Sequence, residues 1–218
     1  MAPPPRSRSS RGRRRRDPLV LGVTGLPASG KSTVAAMFRD LGAEAADADR
    51  LAGEALALPG IARRAARAVG PGTLGPGGRL DRAAVAARVF GPGGSAALRR
   101  LEAVLHPPVR RWLRAAVAGA RRRRAPAVVL DVPLLFERGV DRMCDATVFV
   151  DAPRAARLRR ARRRGWTAAE LRARDLSQAP AAERRRRADF VVRNGGGIPA
   201  ARLAVRGIWE RVFGERRP

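Results

Sequence analysis

The sequence predicts an α/β fold: a doubly wound parallel sheet of about five strands, with a helical insertion and an arginine-rich helical lid. Three observations lead to it. Apolar runs of strand length alternate with stretches of helical spacing along the chain. A glycine-rich turn joins the first such strand to the first such helix, which is how a parallel βα unit begins. The long tract between the second and third strands has helical text and no strand signal.

Residues 18–24 read as a buried strand because they are few, nearly all apolar and followed at once by glycine. Residues 25–32 form the turn, and 33–41 a helix with Val34, Met37, Phe38 and Leu41 at helical spacing. A short apolar stretch, 43–46, ends in Asp47-Ala48-Asp49 and completes strand–loop–helix–strand. From 50 to 124 the chain is helical and arginine-rich, with breaks expected at Pro59-Gly60, 70–78, 91–94 and His106-Pro107-Pro108. Asp81 has the position and side chain of an N-cap. Residues 127–131 and 146–151 are two further buried strands, and 154–177 a strongly basic helical pair hinged near Gly165. A last short strand at 190–192, a tight loop at 194–197 and a helix at 200–213 close the chain. The expected organisation is a disordered basic tail (1–17) and one domain (18–214), with an insertion at about 50–125 and a lid at about 154–178.

At 218 residues and 45% apolar content the chain can bury a substantial core. Its longest apolar runs are strand-sized, so no membrane partner is expected and the cytoplasm is the expected compartment. The single cysteine, Cys144, excludes an intramolecular disulfide and a cysteine-built zinc site. Net charge is +27, and so basic a chain attracts polyanions of every kind, nucleotides and nucleic acid alike. Part of that charge sits in the Pro/Ser/Arg-rich tail, which lacks the periodicity to form a core. The tail reads as solvent-facing chain or as the product of a start codon placed too early; as a transit peptide it lacks an amphipathic face. All but one of the 46 basic side chains are arginine, the exception being Lys31. Asn194, Gln178 and His106 are likewise each the one residue of their kind. A drift toward Ala, Gly, Pro and Arg accounts for the pattern, and the survivors then mark places where arginine or alanine cannot serve.

Gly25-Leu26-Pro27-Ala28-Ser29-Gly30-Lys31-Ser32 satisfies G-x-x-x-x-G-K-[ST], in the strand-to-helix context this motif requires. Gly25 and Gly30 let the backbone wrap a phosphate. Successive N–H groups from Ala28 and Ser29 to Thr33, at the positive end of a helix, bind the anion. Lys31 supplies a compact, flexible ammonium toward the β- and γ-phosphates, which a planar guanidinium does not duplicate. Ser32 offers a hydroxyl to Mg²⁺. ATP with Mg²⁺ and phosphoryl transfer are thereby implied. Asp47 and Asp49 fall at the carboxyl edge of the sheet, where ligands of such folds bind. A carboxylate there can take the proton of an attacking hydroxyl, or Asp49 can simply cap the following helix. Asp131 is either a Walker-B-like acid or an ordinary strand-end carboxylate, and His106 reads as a structural histidine ending a helix. The arginines from 154 to 174 make solvated surface, and also a movable basic cover able to neutralise a transferring phosphate.

Residues 24–33, Asp47-Ala48-Asp49, Leu80-Asp81-Arg82, Leu105-His106-Pro107 and Val132-Pro133-Leu134-Leu135-Phe136-Glu137 follow in a distinctive order. Arg174 with Gln178, then Ala188-Asp189 leading to Asn194-Gly195, complete the series. In order and spacing the chain resembles the dephospho-coenzyme A kinase family over residues 18–214. The resemblance implies a P-loop kinase fold with a helical substrate-binding insertion and a lid. It implies ATP and Mg²⁺, and phosphorylation of the ribose 3′-hydroxyl of dephospho-coenzyme A, the last step of coenzyme A biosynthesis. It assigns Asp49 as general base, Lys31, Arg160 and Arg164 to the phosphates, and Asn194 and Gly195 to the adenine. It places Asp47, Asp49, Asp81, His106, Pro133, Leu134, Arg174 and Gln178 on the acceptor. A monomer acting on a small molecule, with no specific nucleic acid, is what such a protein would be. Two departures stand out. Leu26-Pro27-Ala28 replaces the family's usual Gly-Ile-Gly, and Pro27 removes an N–H at the loop apex. Arg184 stands where a lysine is usual, as the arginine drift would give.

Two other readings stay open: a small-acceptor P-loop kinase of nucleotide or shikimate type, and a basic nucleic-acid-associated protein on a P-loop scaffold. The size of the insertion and the absence of an adenylate-kinase-type lid signature weigh against the first. Aromatic content of 4% and the intact Lys31–Ser32 pair weigh against the second.

Overall fold

Five strands form one sheet: β1 (Leu19–Gly25), β2 (Glu44–Asp47), β3 (Ala127–Asp131), β4 (Ala146–Asp151) and β5 (Phe190–Arg193). The structure, a computed structural model, describes residues 17–214; residues 1–16, nearly all of the expected tail, lie outside the described residues. Helices α1 (Lys31–Asp40), α2 (Ala48–Ala57), α3 (Pro59–Val69), α4 (Arg82–Phe90) and α5 (Ser95–Arg122) precede β3. After β4 come α6 (Arg154–Arg162), α7 (Ala168–Leu176) and α8 (Ala181–Arg187), and α9 (Ile198–Gly214) follows β5.

The strand order is β2-β3-β1-β4-β5, and every pairing is parallel. The chain leaves the central strand β1 for one side of the sheet and later returns to its other side. The crevice at the carboxyl end of β1 is therefore the topological switch point. All seven residues of β1 are buried, as a run without alternation requires. Leu19, Leu21 and Val23 join Val129, Val148 and Val150 in a core with Val34 and Phe38 of α1 and Val205 of α9. Trp209 packs there, its ring 6.5 Å from that of Phe38. Burying one such phenyl group contributes about 2–3 kcal/mol. On the other face Gly22 leaves room for a neighbour: a Cβ there would lie 2.7 Å from Cys144 Sγ.

The chain forms two compact units. One is helical and spans Ala48–Arg114, with its own core of Ala65, Val69, Val85, Val89, Ala97 and Leu101. Pro59 opens α3, where a missing N–H costs nothing. Asp81 caps α4, its Oδ1 accepting the N–H groups of Ala83 at 2.9 Å and Ala84 at 3.0 Å. The other unit holds the sheet, α1, α6–α9 and the last turns of α5. Asp17 is part of it, ion-paired with Arg121 at 2.7 Å.

One expected break is absent. α5 runs unbroken through Pro107 and Pro108, so His106 lies inside a helix and does not end one. Each mid-helix proline costs on the order of 3 kcal/mol in lost hydrogen bonding and crowding. Long helical stretches on both sides sustain propagation, and Leu101 and Leu113 are buried before and after the prolines. No helix among the described residues is long and apolar enough to cross a membrane.

Candidate active site

β1 ends at Gly25, and the loop that follows is shaped by close approaches that side chains would block. A Cβ on Gly25 would sit 2.6 Å from the Val150 carbonyl oxygen. Gly30, the N-cap of α1, has φ 89°, and a Cβ there would lie 2.2 Å from Asn194 Nδ2. Ala28 also has positive φ, 59°. Its methyl group is buried with Ala161 of α6 and Leu171 of α7, so packing holds a conformation that glycine would adopt freely. The apex around Pro27 is closed by the Ser29 N–H donating to the Leu26 carbonyl at 3.0 Å.

α1 has no side-chain cap and no acidic residue in its first turn. Its first N–H groups have no partner within the helix, and the macrodipole favours an anion there. Ser32 and Thr33 are exposed at this end. Lys31 reaches the other way, its Nζ donating to Asp131 Oδ1 in a nearly buried ion pair. Asp131 ends β3, directly opposite Val23 of β1 and Asp47 of β2. The sheet register thus places two carboxyl-bearing residues, Asp47 and Asp131, on adjacent strand ends beside the loop.

Three further side chains fasten the loop. Asn194, 2% exposed, donates from Nδ2 to the Ser29 carbonyl at 2.8 Å, while its own N–H donates to the Asp151 carbonyl. Arg160 donates at 2.8 Å to both the Ser29 and the Asn194 carbonyls, tying α6 to both. Burial, and then the neighbouring Arg159 and Arg164 charges, push its guanidinium below the usual arginine range. Arg157 donates to the Pro27 carbonyl at 3.2 Å and to both carboxylate oxygens of Asp175 at 2.6 and 2.9 Å. Gly195 packs against Pro153, where a Cβ would come within 2.6 Å of the ring.

Arg164 lies over the Trp166 ring at 5.7 Å and Arg174 over the same ring at 4.1 Å. Gln178 accepts from Arg184 Nη1, and the Pro133 carbonyl accepts from Thr24 Oγ1 at 2.9 Å and from Arg184. Leu134 begins the turn in which Arg138 N–H donates back to its carbonyl at 3.1 Å. Asp49, Asp81 and His106 belong to the helical unit. Asp49 is the second residue of α2 and exposed, placed within the first turn and not at the N-cap. Sequence reading missed Arg157, Asp175 and Thr24 and dismissed Arg184 as drift. For Arg184 the signal was the lysine usual at that position, whereas Arg157 is one of dozens of identical side chains and carried none.

A sheet ordered in this way, with this loop at its switch point, makes the protein a P-loop kinase. The dephospho-CoA kinase family model matches residues 19–200, and the chain belongs to that family. It is 44% identical over 201 residues to the dephospho-CoA kinase of Anaeromyxobacter dehalogenans, covering 91% of this chain and 92% of that protein. It is 42% identical over 199 residues to that of Symbiobacterium thermophilum, covering 89% and 82%. TT1252 from Thermus thermophilus, whose crystal structure is known, matches with a TM-score of 0.73 and 37% identity, over 93% of this chain and 100% of that one. The activity is ATP-dependent phosphorylation of dephospho-CoA in coenzyme A biosynthesis.

Proposed function

We propose that Asp49 takes the proton of the ribose 3′-hydroxyl of dephospho-CoA as that oxygen attacks the γ-phosphorus of ATP. Coenzyme A and ADP are the products. Lys31, Arg160 and Arg164 stabilise the charge spread over the transferring group. The observation that supports the donor side best is Lys31 held by a buried carboxylate beside an uncapped helix end. A phosphate arriving there meets free N–H donors and an ammonium that needs only to turn from Asp131. Asn194 has its amide nitrogen committed to Ser29, which leaves Oδ1 to accept from the adenine amino group. Gly195, flat against Pro153, suits an adjacent purine plane.

The residues present also fit Mg²⁺. This ion takes hard oxygen donors, keeps several waters, and is bound with substrate phosphates by one or two protein groups. The Ser32 hydroxyl and the Asp131 carboxylate are such groups, and no larger acidic or histidine cluster exists among the described residues. Bound there, the ion would neutralise charge on the β- and γ-phosphates.

On the acceptor side we assign Asp47, Asp81, His106, Pro133, Leu134, Arg174 and Gln178, with Ala48–Arg114 as the acceptor-binding unit and α6–α7 as the lid. Gln178 has its oxygen engaged by Arg184, so its amide N–H groups are what it can offer. Asp81 has one oxygen committed to capping and one to spare. We take the protein to be a cytoplasmic monomer without a specific nucleic-acid partner. The test is ADP release with dephospho-CoA against nucleoside and shikimate acceptors, repeated across a Mg²⁺ titration. Faster turnover with a competing acceptor, or turnover independent of Mg²⁺, would overturn the reading.

A further inference from the structure

Among the described residues the most deeply buried charge lies outside the set assigned so far. Arg184 of α8 is 0% exposed, the largest fully buried side chain among the described residues. Its Nη2 donates to Thr24 Oγ1 at 2.6 Å, to the Gly25 carbonyl at 3.2 Å and to the Pro133 carbonyl at 2.5 Å. Its Nη1 donates to Gln178 Oε1 at 2.5 Å. Glu137, 3.5 Å from Nε, supplies the countercharge and also accepts the Ala179 N–H at 3.1 Å. Phe149 packs beside the guanidinium, its ring centre at 5.8 Å.

These partners come from three segments with separate tasks. Thr24 and Gly25 end β1 and open the phosphate loop. Pro133 and Glu137 belong to the turn after β3. Gln178 and Ala179 follow α7, where the lid returns to the sheet. Thr24 Oγ1 also donates to the Pro133 carbonyl at 2.9 Å, so the first two segments are joined twice through one node. We infer that Arg184 is a positioning residue for phosphoryl transfer: one buried guanidinium fixes the root of the phosphate loop against the 132–137 turn and the end of the lid.

Arginine suits this node better than drift alone would supply. Its planar fork serves the three acceptors around Nη2 and Gln178 at the same time. A lysine ammonium has three N–H donors, enough for Thr24, Gly25 and Pro133, but none for Gln178. The two side chains are therefore predicted to differ in coupling to the lid and to agree at the loop root. Apolar packing in place of the whole pair could hold the fold as well, although removing the guanidinium alone strands Glu137 and costs stability. Its contribution is geometric.

The inference rests on the assignment of the phosphate loop to ATP and of the 132–137 turn to the acceptor. Arg184→Met keeps the volume and removes every donor. Arg184→Lys keeps the node without Gln178. Thr24→Val cuts one arm and leaves all charges in place. ATP dissociation constants, kcat and KM for dephospho-CoA are measured on each, well below its melting temperature and per folded molecule. A displacement of about 1 Å at reacting groups costs about 10²-fold in rate. Arg184→Met is expected to lose kcat on that scale and to weaken ATP binding. Arg184→Lys should recover kcat to within about tenfold of wild type, and Thr24→Val should lose severalfold. A methionine variant that melts earlier but keeps kcat, KM and ATP affinity within about twofold overturns the inference. If Arg184→Met does not fold, unchanged kinetics and ATP binding in Thr24→Val overturn it equally. ATP affinity is read without acceptor, so an inactive wild type with dephospho-CoA would sink the functional reading while this inference stood or fell separately.

Discussion

Asp175→Ala removes the carboxylate that holds Arg157 of α6 against the apex of the phosphate loop. Arg157 is 5% exposed, and its charge is balanced by the Asp175 carboxylate, which accepts paired hydrogen bonds from it. Its guanidinium also donates, over a longer distance, to the Pro27 carbonyl. Removing one partner of a fully buried pair costs about 3–5 kcal/mol, because the other charge is left uncompensated. The Asp175 side chain is 26% exposed, so water can enter the space and replace part of what is lost. We therefore expect a loss of about 2 kcal/mol. For a protein of this size that lowers Tm by about 4–8 °C. The apex should loosen as well, since Arg157 is then free to leave Pro27, and KM for ATP should rise severalfold with kcat less affected. Differential scanning calorimetry and steady-state ADP release read the two effects. Replacing both residues, Arg157→Met with Asp175→Leu, removes charge and countercharge together and should restore most of the Tm but not the KM. Were Asp175→Ala to melt within a degree of wild type, the pair would be surface-like, and the argument from its burial would be refuted.

Lys31→Arg should keep the fold, since a cation still faces Asp131, but lose kcat by about 100-fold or more because the fork cannot swing between carboxylate and phosphate. Lys31→Ala should also lower Tm in the absence of nucleotide, by stranding the Asp131 carboxylate in a nearly buried position. Asp49→Asn should lower kcat by about 10²–10⁴-fold with ATP affinity nearly unchanged. Its loss at the α2 dipole costs only about 0.3–1 kcal/mol, and Asp47→Asn should do less to kcat; the reverse ranking in parallel assays would exchange the two roles. Gly30→Ala combines a positive φ with a Cβ driven into Asn194, so it should lose about 2–3 kcal/mol, seen as a Tm several degrees lower, together with much of the ATP affinity.

Much of the fold was legible because its signals are periodic or punctuated. β1, β3 and β4 are unbroken apolar runs, and the loop after β1 carries a motif whose spacing alone is informative. Where the sequence misled, a local rule lost to a longer-range one. Two consecutive prolines mark a break in most contexts, yet α5 has enough helix on either side to absorb them. The capping box of Thr167 and Glu170 was readable from spacing and passed unremarked, although it holds the Glu170 carboxyl below its usual range through the Thr167 hydrogen bonds. Of the site, Lys31 and Asn194 were visible because each is unique in the chain. Arg157 was not, and the burial of Arg184 was not, because sequence shows how many arginines there are and not which of them are buried.

That blindness has a physical origin in how a charged residue comes to matter. A guanidinium at the surface is interchangeable with its neighbours, since water solvates each equally. Once enclosed, it must find acceptors for its donors and a carboxylate for its charge, and the chain must supply them from distant segments. Arg157 finds them in the phosphate-loop apex and α7, Arg160 in the loop and the 194–195 turn, and Arg184 in the end of β1, the 132–137 turn and the segment after α7. All three therefore clamp the same loop from outside. The loop has lost an N–H at Pro27 and holds Ala28 in a left-handed conformation, so its shape depends on these clamps as well as on its glycines. It follows that the arginines around this loop divide by burial. The enclosed ones set where the loop stands; Arg160, half-buried, both holds the loop and borders solvent, while Arg164 is exposed.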